Sequence, residues 1–228
     1  MTTSCPLRLA VFDCDGTLVD SQRSIVAAMH AACDARGLPR PPAEAVRRLV
    51  GLPLLSTIQV LFPAVDPDEH ARVRTSYSEA YHAMRLDGRL NDPLYPGALD
   101  AIAAIEGAGW LLGLATGKSH RGLVATLDHH GIIERFVTLQ TADRALGKPH
   151  PDMLLKAMSE TGAAAASTVM IGDTTFDVEM ARNAGTLAIG VAWGYHDAED
   201  LRAAGAHGVV ATFAELPHAL ETLARGQP

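Results

Sequence analysis

Cysteine is scarce in this chain. Cys5, Cys14 and Cys33 are the whole complement, an odd number with no CxxC pair, which excludes a disulfide framework and fits a reducing compartment. Long apolar runs are also missing, since none reaches the ~18 residues that a membrane-crossing helix requires. Only Arg8 precedes the first apolar run, and Asp13 and Asp15 interrupt that run, so no secretory signal is expected. A surplus of positive charge is absent as well. The formal net charge of −7 argues against a broad nucleic-acid footprint, although it leaves room for one local basic pocket. Ten histidines are scattered without a HExxH helix or a Cys/His cluster, so the usual zinc patterns do not apply. What remains is a cytoplasmic protein, monomer or homodimer, with no nucleic-acid or membrane partner. With 48% hydrophobic and 20% charged residues it can bury a substantial core.

The most informative stretch is Val11-Phe12-Asp13-Cys14-Asp15-Gly16-Thr17-Leu18-Val19-Asp20. Leu7, Leu9, Val11 and Phe12 read as a buried strand and Gly16 as a sharp exit from it, so the two aspartates fall at the strand's C-terminal end. In an open α/β sheet that edge binds ligands. Alternate residues of an extended segment share a face, so Asp13 and Asp15 repel one another unless a cation or a proton joins them.

Apolar segments with β character recur over residues 110–115, 168–171, 187–192 and 208–211. Helical patterns lie between them, over residues 99–107, 121–130, 152–160 and 177–183, several closed by glycine. This alternation predicts a doubly wound, Rossmann-like parallel sheet covered on both faces. One connection is far too long for that scheme, because residues 17–94 contain no convincing strand whereas a βαβ unit needs about 30 residues. Helical patterns over residues 24–36, 43–50, 55–62 and 68–86, bracketed by prolines, fill it. The expected organisation is an α/β core over residues 1–18 and 92–228, with a small all-helical cap domain over residues 19–91 able to close over the site.

Three further segments bring chemistry to strand ends. In Leu114-Ala115-Thr116-Gly117-Lys118-Ser119, the Thr116 hydroxyl and the following amides, Gly117 included, suit phosphate oxygens. A P-loop reading fails on spacing, because GxxxxGK[ST] requires glycine where Leu112 stands. In Gly147-Lys148-Pro149-His150-Pro151 two prolines stiffen the chain around one lysine, which can neutralise charge beside carboxylates and a phosphate. Val169-Met170-Ile171-Gly172-Asp173-Thr174-Thr175-Phe176-Asp177 ends another strand in carboxylates, with Asp173 placed to share a metal with Asp13, or simply to cap the next helix together with Thr174. Hard oxygen ligands suit Mg2+. The corresponding chemistry is in-line attack by a carboxylate on phosphorus, giving an aspartyl-phosphate, with a second carboxyl as general acid and then base.

These residues resemble the haloacid dehalogenase-like hydrolase superfamily, and its phosphatases in particular. Asp13-Cys14-Asp15-Gly16-Thr17 is similar to the DxDGT motif, Thr116 to the second motif, Lys148 to the third, and Gly172-Asp173-Thr174-Thr175-Phe176-Asp177 to the fourth. All four occur in order and span nearly the whole chain. The resemblance implies Asp13 as nucleophile and Asp15 as general acid/base. It further implies Asp13, the Asp15 backbone carbonyl and Asp173 as Mg2+ ligands, and Asp177 supporting the metal or Lys148. It also implies that the helical insert is the family's cap.

Within that superfamily, the second aspartate speaks against dehalogenases and phosphonate hydrolases, and the expected cap contains no lysine. Thr17 and, approximately, Ile25 stand where hexose phosphomutases carry valine and histidine. The chain is most similar to phosphoglycolate phosphatase-like members, also through Asp92-Pro93-Leu94-Tyr95-Pro96-Gly97 at the cap exit. A phosphoric monoester hydrolase acting on a small phosphorylated metabolite is therefore expected. Phosphomutase chemistry of the β-phosphoglucomutase type, or phosphometabolite binding without turnover, are the alternatives. In the cap, Arg47 and Arg48 beside the Gly51-Leu52-Pro53 turn are candidates to pair with a substrate carboxylate. A solvated helix face explains both arginines equally well.

Overall fold

The computed structural model describes residues 6–88, 90 and 92–226. Cys5 and Asn91, the expected last residue of the cap, lie outside the described residues. Six strands, β1 (Arg8–Phe12), β2 (Trp110–Thr116), β3 (Thr138–Thr141), β4 (Thr168–Gly172), β5 (Leu187–Val191) and β6 (Gly208–Val210), form one sheet in the order β3-β2-β1-β4-β5-β6. Every pairing is parallel. Phe12 stands opposite Leu114 on one side and Ile171 on the other. The residues that follow these three strands therefore share one edge of the sheet.

Four helices intervene between β1 and β2, namely α1 (Gln22–Arg36), α2 (Ala43–Arg47), α3 (Leu54–Leu61) and α4 (Pro67–Leu86). Six more follow, α5 (Ala98–Gly107), α6 (His120–His129), α7 (Asp152–Thr161), α8 (Thr175–Asn183), α9 (Ala198–Ala203) and α10 (Leu216–Arg225). Alternation along β1 sets the layers. Ala10 and Phe12 pack with residues of α5, α6 and α10, while Leu9 and Val11 pack with residues of α7, α8 and α9. Each fully buried Leu or Phe contributes roughly 1.5–3 kcal/mol, and a central strand buried on both faces explains why this segment reads as a nearly continuous apolar run.

The four inserted helices build a separate apolar cluster from Met29, Ala32, Val46, Ile58 and Val73. Local signals delimit them. Gly37, at φ 65°, ends α1 and lets the Leu38 amide bond the Cys33 carbonyl at 2.9 Å. Asp66 caps α4 by accepting the Glu69 amide, with Pro67 at the first helical position. The chain leaves and re-enters the sheet layer at neighbouring points. Val19 bridges Leu94, the Asp20 amide bonds the Pro93 carbonyl at 2.9 Å, and the Tyr95 amide bonds the Leu18 carbonyl at 2.9 Å.

Several elements differ from expectation, among them α9 and α10, where no helix was expected. The helix expected over residues 43–50 stops at Arg47, and residues 48–52 form the turn that carries Gly51 at φ 102°. Strand β3 was not expected at all, because Thr-Leu-Gln-Thr lacks an apolar run. Its polar groups are satisfied instead: Gln140 Nε2 donates to Thr138 Oγ1 at 2.8 Å and to Glu160 Oε2 at 2.9 Å, so burying them costs little.

Candidate active site

The C-terminal ends of β1, β2 and β4 converge as the register requires. Asp13 follows β1, Thr116 ends β2 and Asp173 follows β4. Lys148, in the connection between β3 and α7, is completely buried and bridges two carboxylates, with Nζ 2.9 Å from Asp13 Oδ1 and 2.6 Å from Asp177 Oδ1. Asp177 is held by the first turn of α8, where its Oδ2 accepts the Thr174 amide at 3.1 Å and the Thr174 hydroxyl at 2.7 Å in a capping box. Thr174 therefore caps α8, and Asp177 serves the helix and Lys148 at once.

Asp173 is equally fixed. Its Oδ1 accepts the Thr17 hydroxyl at 2.7 Å and its Oδ2 accepts the Tyr195 amide at 2.9 Å. The backbone of Gly194 and Gly16 closes around it, and a Cβ at either position would collide with the Asp173 side chain. Gly16 in addition has φ 84°, so glycine is required there on two counts. By contrast Asp13 Oδ2 is buried with no hydrogen-bond partner.

The electrostatics follow from burial. Burial pushes the Asp13 carboxyl up to about 7, Lys148 opposing and Asp177 adding to the shift. Burial, then Asp13 and Asp177, drive Asp173 well above the ordinary carboxylate range. Burial works against the Lys148 charge, but Asp13 and Asp177 outweigh it and raise its pKa. Four buried carboxylates, Asp13, Asp15, Asp173 and Asp177, face two ammonium groups, Lys118 and Lys148. Full ionisation leaves a surplus of two negative charges. Oxygens of Asp13, Asp173 and Asp177 lie within 4.8 Å of one another, so a divalent cation that prefers hard oxygen ligands fits this donor set.

Asp15 turns away from that cluster. Its Oδ1 pairs with Lys118 Nζ at 2.8 Å and accepts the Ser21 hydroxyl, and Tyr195 Oη lies 3.4 Å from Ser21 Oγ. Lys118 in turn sits 5.2 Å from the centre of the Tyr81 ring on α4. Burial disfavours its charge, yet Asp15 chiefly, with Tyr81 and Cys14, holds it well above the usual value. Sequence reasoning missed Lys118 as a side chain, although it stands in the strand-end stretch read for its amides. Ser21 and Tyr195 carried no local signal, because their meeting with Asp15 depends on tertiary structure.

Asp13, Asp15, Thr116 and Gly117 line a cavity of about 830 Å3 between the sheet edge and the inserted helices. The turn after α2 seats directly on the site. A Cβ on Gly117 would stand 2.8 Å from the Leu52 carbonyl oxygen and 2.9 Å from that of Gly51, and one on Gly147 would collide with the Pro53 ring. Arg47 and Arg48 do not line this cavity. Arg47 pairs with Glu44 at 2.7 Å, and Arg48 faces Glu44, Asp197 and Asp200 at 3.3–3.9 Å. Both lie on the outer side of α2, because Val46 takes the inward position of that short helix. One face of α4 lines the cavity in their place, at the helical spacing of Arg74, Tyr77, Ser78, Tyr81, His82 and Arg85.

A buried carboxylate with one oxygen unengaged, and a lysine bridging it to a second carboxylate, stand in a cleft at the C-terminal edge of a doubly wound sheet. The chain belongs to the haloacid dehalogenase-like hydrolase family, whose model matches residues 10–191. It is 37% identical over 216 residues to a protein of Dickeya dadantii (strain 3937) named probable phosphatase IndB, covering 94% of each chain. It is 29% identical over 222 residues to a phosphoglycolate phosphatase of Vibrio parahaemolyticus, covering 94% of this chain and 96% of the relative. A crystal structure of a hydrolase from Pseudomonas syringae superposes with a TM-score of 0.83 at 25% identity, over 95% of this chain and 98% of that one.

Proposed function

We propose that this hydrolase is a Mg2+-dependent phosphatase that cleaves small phosphate monoesters through an aspartyl-phosphate on Asp13. The observation that carries the reading is Asp13 itself, which fronts the cavity with Oδ2 unengaged while Lys148 holds Oδ1. Asp13 Oδ2 attacks phosphorus, and the bond to the leaving oxygen breaks in line. Asp15 donates its proton to that oxygen, then takes one from the water whose oxygen attacks phosphorus and releases the Asp13 carboxylate. Because Lys118 and Ser21 both hold Asp15 Oδ1, Oδ2 is the oxygen free to carry the proton. Lys118 and Ser21 act here as positioning residues.

Thr116 and the Gly117 amide bind the non-reacting phosphate oxygens, and Lys148 neutralises charge that builds on them. Asp13, the Asp15 carbonyl and Asp173 would hold the metal, with Asp177 fixing Lys148. Bound Mg2+ would offset the surplus negative charge of the cluster and polarise the phosphoryl group. The residues around the site thus have separable tasks. A cytoplasmic setting and a small phosphorylated metabolite as substrate complete the reading, and the relatives named phosphoglycolate phosphatase make a phosphorylated acid the first class to try.

Phosphate release from p-nitrophenyl phosphate tests the proposal. Activity should require Mg2+, vanish with chelator and fall at least 1,000-fold in Asp13→Asn. Turnover that survives either treatment refutes the corresponding assignment. A phosphomutase would instead convert a hexose 1-phosphate into its isomer without free phosphate, which product analysis distinguishes.

A further inference from the structure

Beyond the reacting phosphate, the cavity holds cations that have no carboxylate partner among the described residues. Seven arginines, among them Arg8, Arg36, Arg40 and Arg135, pair with aspartate or glutamate. Arg85 on α4 and Arg121 on α6 line the cavity and have no carboxylate partner among the described residues. Each reaches across to the opposite helix. Arg85 Nη2 donates to Thr126 Oγ1 of α6 at 3.2 Å, and Arg121 Nη2 lies 3.4 Å from His82 Nε2 of α4. Asp143, which also lines the cavity, is engaged elsewhere, accepting the His120 amide at 2.9 Å and the Thr141 hydroxyl at 2.6 Å.

We infer that the substrate carries a second anionic group, a carboxylate or a second phosphate, which Arg85 and Arg121 bind across the cleft while the reacting phosphate sits at Asp13. The inference rests on the phosphatase reading and narrows its substrate class. Guanidinium groups suit the purpose, because they present paired donors to carboxylate and phosphate oxygens alike. Arg85 and Lys118 stand 5.9 and 5.2 Å from the centre of the same Tyr81 ring, so the inferred anion site adjoins the one that faces Asp15. The volume leaves room for a substrate of sugar size: about 830 Å3 is near the upper end of the range for small-ligand sites, roughly 300–1,000 Å3. Arg74, eleven residues before Arg85 on the same helix, is about 16 Å away along the axis and cannot join the same anion.

Phosphate release is measured with four probes, glucose 6-phosphate, 6-phosphogluconate, fructose 1,6-bisphosphate and phosphoglycolate, on the wild-type protein, Arg85→Gln, Arg121→Gln and the exposed control Arg202→Gln. In the wild type, kcat/KM for 6-phosphogluconate, for the bisphosphate, or for both should exceed that for glucose 6-phosphate at least tenfold, and also exceed that for phosphoglycolate. The preferred probe tells carboxylate from phosphate. The ratio should fall to within about threefold in Arg85→Gln and Arg121→Gln and persist in Arg202→Gln. Equal rates on the singly and doubly anionic sugars in the wild type, or a ratio that survives both cavity substitutions, overturns the inference. Should no probe turn over, the phosphatase reading fails separately. The second-anion site is then read from the thermal shift that the same probes produce: a larger shift with the doubly anionic sugars, lost in the two cavity variants, upholds it, and equal shifts overturn it.

Discussion

Replacing Lys148 by methionine isolates the charge balance of the site. The ammonium is 2.9 Å from Asp13 and 2.6 Å from Asp177, with all three side chains buried. Methionine keeps most of the volume and removes the cation that bridges that pair. Breaking a buried ion pair by deleting one partner costs about 3–5 kcal/mol, which in a domain of this size lowers Tm by roughly 6–20 °C. The deficit must depend on pH. A stranded carboxylate can escape by protonation, which relative to an unfolded carboxyl of ordinary pKa 3.8 costs about 5 kcal/mol at pH 7.5 and about 2 kcal/mol at pH 5. The sign is set by Asp13, whose pKa is raised to about 7 in the folded protein. The folded state binds the extra proton, so stability is favoured at low pH and declines as pH rises toward 7. Melting is followed by circular dichroism in chelator at pH 5.0 and 7.5, then with Mg2+ added. The variant should melt far below the wild type at pH 7.5, close most of the gap at pH 5.0, and regain part of it with Mg2+ at the higher pH. A gap of equal size at both pH values, or a Tm within 2 °C of the wild type at pH 7.5, refutes the reasoning.

Two other substitutions test the seating of the inserted helices. Gly117→Ala places a methyl group 2.8 Å from the Leu52 carbonyl oxygen, so the turn must retreat by about half an ångström at a cost of about 1–3 kcal/mol; kcat/KM for a phosphate ester should fall at least tenfold in steady-state assays. Arg47→Ala removes only a solvent-screened pair with Glu44 and should change kcat/KM less than twofold.

The parts of the fold legible in the sequence were those where burial and periodicity agree. Strands β1, β2, β4 and β5 are buried on both faces and read as apolar runs, and α1, α3 and α4 show helical spacing between proline and glycine stops. Strand β3 escaped because its inward groups are hydroxyls and an amide satisfied by Glu160, a partner twenty residues away. At the candidate site, Asp13, Asp15 and Asp173 stood out because each lies just past a segment that reads as a strand, and Thr116 because it ends one, whereas Lys148, in the connection between β3 and α7, stood out only by its proline-flanked turn. For Arg47 and Arg48 both readings stayed open in the sequence, because proximity to a turn says nothing about which side of a short helix faces inward; in the structure neither lines the cavity. The cavity face of α4 was overlooked for a related reason. Its Arg, Tyr, Ser and His residues look like a solvated surface until another layer is placed opposite.

The hydrogen-bonded crossing at Val19 and Leu94 has a consequence for how specificity can change. Because the chain departs from the central strand and returns at adjacent backbone positions, the insert between them is joined to the sheet like a cassette plugged into paired contacts. Lengthening, shortening or exchanging it leaves the strand order and the register of the carboxylates untouched. Recombination at these two points would replace the α4 face of the cavity while the strand-end carboxylates kept their places, provided that the incoming segment again supplied the Ser21 hydroxyl to Asp15 and a turn to seat against Gly117 and Gly147.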